Sequence, residues 1–226
     1  MSMTIPRAPV APGDEQVVLR RISWGTYEKL NDELGEGRNP RMIYCDGELT
    51  IMVTSRRHDW YAERLGQMIV ALASALRIPW EDAGQATFRR KDMNAGLEGD
   101  KTYYLAEHAK LMKGPRDIDL DVQPPPDLAI EVEVSHSADS ALTAWGRLGV
   151  PEVWRFDPVE EQVGFCLRCE DETYTVSQRS VAFPLLTTED VLNQMRLADK
   201  LGASDWYDQL GDWIRSVILP RLKGDS

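Results

Sequence analysis

The chain is poor in the features that would place it in several large functional classes. It has only 3 cysteines in 226 residues, an odd number, which does not suit a disulfide framework. Cys166 and Cys169 form a lone C-x-x-C within "EQVGFCLRCEDETY". No second C-x-x-C or C-x-x-H supplies further zinc ligands, so the pair reads as two ordinary thiols in a β-hairpin. No run approaches the roughly 18 apolar residues of a membrane span. The most apolar stretch, "MIVALASALRI", is preceded by Glu63 and Arg64 and contains Arg77, which marks a water-facing helix. The N-terminal "MSMTIPRAPVAPGDEQ" has no apolar segment of the signal-peptide kind, which points to the cytoplasm and to no membrane partner. Positive charge is short as well: 26 Lys and Arg face 37 Asp and Glu, a net charge of −11. DNA binding draws on Lys and Arg against phosphates, so a strong non-specific DNA binder is excluded. A nuclease with a local basic patch and a metal is not, because the ion is itself a large positive charge. P-loop, G-x-G-x-x-G, H-E-x-x-H and G-x-S-x-G signatures are all missing.

What remains is an ordinary globular composition, 42% hydrophobic and 28% charged. Residues 1–16 read as a loose Pro-rich arm, and 17–226 as a single domain. "ISWGTYEKLNDEL" has a helical pattern opened by Ser23. "RMIYCDGELTIMV" reads as a hairpin, because Asp-Gly is a strong hairpin signal. "SRRHDWYAERLGQMIVALASALRI" is a long amphipathic helix with Leu65, Met68, Ile69 and Leu72 toward a core. Two strands, near 85–90 and 101–105, are joined by a loop. The triple proline 124–126 delivers the chain to a strand at 127. "SADSALTAWGRL" is a helix capped by Ser137 and ended by Gly149. Three more strands follow, and 188–222 is helical with a break near Gly202. This order predicts an α/β (α+β) fold: a mixed central sheet flanked by helices, with extra β-hairpins and a C-terminal helix.

The chemistry concentrates at "DLAIEVEVSHS". Leu128, Ile130, Val132 and Val134 share one face of a strand. Glu131 and Glu133 share the other, about 7 Å apart. If the strand that begins after Asp100 pairs with this one, Asp100 reaches Glu131. Close carboxylates repel unless a cation or a proton lies between them. Hard oxygen ligands with room for water suit Mg²⁺ or Mn²⁺, which can drive phosphodiester cleavage. The plain alternative is a strand with one solvated face.

The segments "LEGDKTYYL", "PPPDLAIEVEVSHS" and "LGVPEVWRFDP", with "YCDGELTIM", His58-Asp59 and "ATFRR" upstream, resemble a bacterial family of putative restriction endonucleases. That family lies in the PD-(D/E)XK superfamily, and the similarity runs from about Ile22 to Leu186. The resemblance implies a restriction-endonuclease-like core, Mg²⁺-dependent hydrolysis of DNA, and a homodimer. Carried over, it makes Asp100 and Glu131 metal ligands, with Asp59 from the first core helix. Glu63, one turn on, and Glu133 are further candidates. The apolar face of "DWYDQLGDWIRSVIL" offers a surface for a second copy. Three departures stand out. Position 133 carries Glu where the superfamily has lysine. The helix position that holds a lysine or arginine in many members is Ala141, with only Arg147 nearby on another face. The residue before Asp100 is Gly99 rather than proline. Arg89, Arg90, Lys91 and Lys101 are candidates for the missing cation. The basic clusters "SRRH" (Arg56, Arg57) and "FRRK" (Arg89, Arg90, Lys91) are the candidate phosphate contacts. His58 reads as a packing residue at the helix start. A metal and DNA-binding module that has lost cutting is the second reading.

Overall fold

The computed structural model describes residues 15–35, 40–84, 86–114, 118–134 and 138–222. The expected N-cap Ser137, the expected strand start at 85 and residues 1–14 of the expected N-terminal arm lie outside them, and the arm's last two residues, Glu15 and Gln16, belong to a strand. In chain order the elements are β1 (Glu15–Arg20), α1 (Trp24–Leu34), β2 (Arg41–Cys45), β3 (Glu48–Val53), α2 (Arg56–Leu76), β4 (Trp80–Gly84), β5 (Thr87–Arg90), β6 (Ala95–Glu98), β7 (Lys101–Leu105), α3 (Ala106–Met112), β8 (Leu128–Val132), α4 (Asp139–Leu148), β9 (Glu152–Asp157), β10 (Gln162–Arg168), β11 (Tyr174–Ser177), α5 (Thr188–Ala198) and α6 (Ala203–Trp213). The helical path continues from α6 to Arg221.

Local chemistry explains most of the boundaries. Ser23 and Ser55 accept backbone N–H groups at the starts of α1 and α2. Asp46 and Gly47 both have positive φ, 48° and 84°, as a two-residue hairpin turn between β2 and β3 requires. Gly149 ends α4, and Gly202 separates α5 from α6.

Among the described residues the strands form two sheets. The smaller has the order β1-β3-β2-β6-β5 and the larger β11-β10-β9-β8-β7-β4. The larger is mixed: β8 and β9 are parallel, while their outer neighbours are antiparallel. The 87–105 region holds more than the two expected strands. Residues Ala95–Glu98, expected as loop, form β6 and pair with both β2 and β5. The chain then leaves the small sheet at Glu98 and enters the large one at Lys101. Gly99 and Asp100 are the crossover.

One core lies between the large sheet and helices α2, α5 and α6, with Leu128, Ile130, Val132, Trp154 and Leu65 in it. A second lies on the other side, where Ala129, Val153, Trp145 and Ala141 meet Phe88 and Leu97 of the small sheet. β8 is therefore buried on both faces. The alternation of Val and Glu does not mark a wet side: Glu131 is 5% exposed. The C-terminal aromatic stretch also turns inward. Trp206, Leu210, Ile214 and Ile218 belong to the first core, so that face covers the chain's own α2 and α5.

Candidate active site

Two adjacent strands and one crossover set the site. β7 and β8 pair antiparallel with Lys101 opposite Ile130. Extending that register by one residue puts Asp100 opposite Glu131. Asp100 is 1% exposed, and its Oδ2 accepts the Val132 backbone N–H at 2.7 Å. This bond ties the crossover to the end of β8 and fixes the Asp100 carboxylate beside the Glu131 backbone.

Glu131 points to the α4 side. Its Oε1 accepts the indole N–H of Trp145 at 2.7 Å. Burial pushes its carboxyl up to about 7, against the opposing pull of the Trp145 N–H and of Arg41. The Trp145 ring also occupies the space over residue 99. A Cβ there would stand 2.7 Å from the indole. Glycine before the aspartate and tryptophan on α4 are thus a matched pair, which accounts for one departure from the superfamily pattern.

The first turn of α2 brings in His58 and Asp59. His58 is buried, with Nε2 3.1 Å from Asp100 Oδ2 and Nδ1 3.5 Å from Asp59 Oδ1. It sits among the carboxylates rather than serving as packing alone. Arg41, the first residue of β2, completes the cluster. Its Nη1 donates to Asp100 Oδ1 and its Nη2 to Asp59 Oδ1 at 3.3 Å. No sequence motif singled Arg41 out. Its arrival depends on β2 pairing with β6 (Ile43 opposite Leu97), whose chain runs directly into Asp100.

The other candidates are placed as follows. Glu63 forms an ion pair with Lys101 Nζ at 2.6 Å. Glu133 lies just past β8 and accepts from Arg155 Nη2 at 2.5 Å and from the Ala138 backbone N–H. It thereby caps α4, where Ala138 has no side-chain acceptor of its own. Arg89 pairs with Asp32, and Arg90 with Asp92 and Asp121, along the β5 edge of the small sheet. Lys91 follows them, exposed. Arg56 and Arg57 are exposed on the first turn of α2, next to the acid cluster. Ala141 is buried one turn before Trp145 on α4, so the helix face toward Glu131 carries no cation. Cys166 is buried and Cys169 partly so; both are free thiols, and burial pushes Cys166 up to about 11. Such burial disfavours the thiolate that redox or metal chemistry would need.

Among the described residues, no three His, Cys, Asp or Glu side chains are assembled so as to hold an ion by themselves. Magnesium does not require three, since one or two carboxylates with water complete its shell. Asp100, at the crossover, and Glu131, on β8, supply two hard oxygen donors in register with each other, and a cation beside the buried Glu131 would favour its charged form. The donor chemistry therefore fits a divalent ion, although the Asp100 oxygens now carry Arg41, His58 and the Val132 N–H.

No helix among the described residues is long and apolar enough to cross a membrane. No curated protein matches the chain. Among solved structures it resembles a putative nuclease belonging to DUF820 from Anabaena variabilis ATCC 29413. The identity is 15% over 71% of this chain and 94% of that one, with a TM-score of 0.50. At that identity the likeness shows the fold, a nuclease fold consistent with the expected restriction-endonuclease-like core. The Uma2 model, described as putative restriction endonuclease, matches residues 24–199, and the chain belongs to that family.

Proposed function

We propose that the protein is a divalent-metal-dependent endodeoxyribonuclease whose cutting of duplex DNA is feeble. The observation that carries this reading is the burial of Asp100, at the crossover into β7, in register with the buried Glu131 of β8, with His58 from the first turn of α2 against Asp100. Mg²⁺ or Mn²⁺ would be held by Asp100 and Glu131, with Asp59 from α2. Glu63 and Glu133 reach it only by giving up Lys101 and Arg155. Bound there, the ion supplies Lewis acidity toward water and phosphate. The chain itself orients. Val132 N–H and His58 fix one Asp100 oxygen, and Trp145 fixes one Glu131 oxygen. Arg56 and Arg57 stand beside the acids on the solvent side and meet phosphates of the DNA backbone. Ala141 supplies no charge to the developing negative phosphate, which makes the reaction slow.

Two copies belong to this reading. β1, an edge of the small sheet, exposes Val17, Val18 and Leu19, with Val53 of β3 beside them, and such an edge favours strand pairing between chains. Light scattering at micromolar concentration checks this, and a monomer mass counts against it.

A module of the same fold that no longer cuts is the second reading. The groove beside the site favours it: among the described residues Glu133, Asp157 and Glu160 line it with only Arg155 for balance, a poor surface for DNA. Nicking of supercoiled plasmid with Mg²⁺ or Mn²⁺ separates the two. Nicking that disappears in Glu131→Ala supports the nuclease. Complete absence of nicking, with metal bound, supports the silent module.

A further inference from the structure

We propose that Arg41 is the resident counter-cation of the carboxylate site, and that a divalent ion binds Asp100 only by displacing the Arg41 guanidinium. This rests on the reading of Asp100 and Glu131 as the metal site, and it adds a residue that neither the sequence motifs nor the family match assigns.

Arg41 is 3% exposed. A guanidinium cannot be deprotonated in a protein, so a buried one demands anionic partners. Here it has two, on different elements: Asp100 at the crossover and Asp59 on α2. These are two of the three proposed ion ligands. Arg41 thus puts one protein charge where the ion would put two. The remaining Asp100 oxygen is held by Val132 N–H and lies against His58, so Arg41 stands on the oxygen that an ion would take. The fold leaves Arg41 no choice of place. Extending the β2–β6 register of Ile43 opposite Leu97 by two residues sets Arg41 opposite Gly99, next to Asp100.

A guanidinium and a divalent ion cannot share Asp100 at contact distance, because two cations so close repel strongly in a dry site. Binding is then mutually exclusive, and the ion-free state is the one Arg41 stabilises. The way out runs along Asp59, which is 49% exposed. Arg41 acts through the carboxylates and is a positioning residue.

The test measures Mn²⁺ affinity by calorimetry, and the Mn²⁺-induced rise in Tm, on wild type, Arg41→Gln, Arg41→Lys and Glu131→Gln. Circular dichroism reports folding. Arg41→Gln should bind Mn²⁺ tighter than wild type by about tenfold or more and gain a larger Tm rise. Adding Glu131→Gln should remove both gains. Arg41→Lys keeps the charge but cannot fork between Asp100 and Asp59, so its affinity should fall between the two. It carries the test if Arg41→Gln does not fold, and affinity equal to or below wild type then overturns the proposal. Equal affinities in wild type and Arg41→Gln, both abolished by Glu131→Gln, overturn the role of Arg41 and leave the metal site standing. No Mn²⁺ binding by a folded Arg41→Gln overturns both.

Discussion

The indole N–H of Trp145 donates to Glu131 Oε1 at 2.7 Å, and it joins a helix of the second core to the central strand of the large sheet. It is a hydrogen bond to a buried carboxylate, the kind whose loss is expensive when the acceptor is charged. Trp145→Phe keeps the ring and loses the donor. It should destabilise the fold by about 1–3 kcal/mol at pH 8 and by less at pH 5, where Glu131 is protonated. Urea unfolding at the two pH values checks this, and an equal loss at both would show that only packing had changed.

Glu131 itself makes stability depend on pH. Its folded carboxyl stands at about 7, raised by burial above the usual 4.5. The folded state therefore holds the proton more tightly than the unfolded chain. The stabilisation is fully present below pH 4.5 and is lost as pH rises through 7. Across that window the loss is on the order of 3 kcal/mol. Glu131→Gln, which is neutral throughout, should flatten this part of the stability–pH curve. An unchanged curve would mean that Glu131 is ionised at a normal pKa. The charged groups that act on it are Arg41 and Glu133, so Arg41→Gln should carry the loss of stability on to higher pH.

Gly99 and Trp145 should tolerate no independent change. A methyl at 99 meets the indole at 2.7 Å and Thr102 Cγ2 at 3.1 Å. Gly99→Ala should cost about 1–3 kcal/mol and push the indole off Glu131. Trp145→Phe frees some of that space, so the double variant should lose less than the sum of the two single variants. Strict additivity in thermal unfolding would disprove the coupling.

Ala141→Lys places an ammonium on the α4 face that carries Trp145. Adding such a group near a developing phosphate charge should raise plasmid cleavage by roughly 10²-fold. The gain should vanish with Glu131→Ala, because the lysine has no reaction to assist without the metal site. Ala141 is packed in the second core, so a lower Tm is expected alongside the gain. Brisk wild-type cutting would show that another cation already fills the role.

Much of this architecture was readable because it is local. Ser23, the Asp46-Gly47 turn and Gly149 act on residues within one turn of themselves, and each stands where the pattern puts it. That "PPPDLAIEVEV" and "GDKTYYL" are strands was also legible, but their pairing could be posed only as a condition, because a strand's partner is chosen by tertiary packing. β6 was missed because "AGLE" is too short to show a period. The inward turn of Trp206 and Ile214 was not legible either, since an amphipathic helix does not say which surface it covers.

The sequence by itself determined the identity and spacing of the acids, the lack of a cation at Ala141 and 133, the order of most elements, and the family. Only the tertiary structure decided that both faces of β8 are dry, that Glu133 turns to Arg155 and the start of α4, and that Arg41 stands against Asp100, 59 residues away. The reason is one of range. Backbone preference acts over a few residues, whereas the charge state and partners of a buried acid depend on which distant elements exclude water from it. At this site they are set by the two-residue crossover that passes the chain from one sheet to the other.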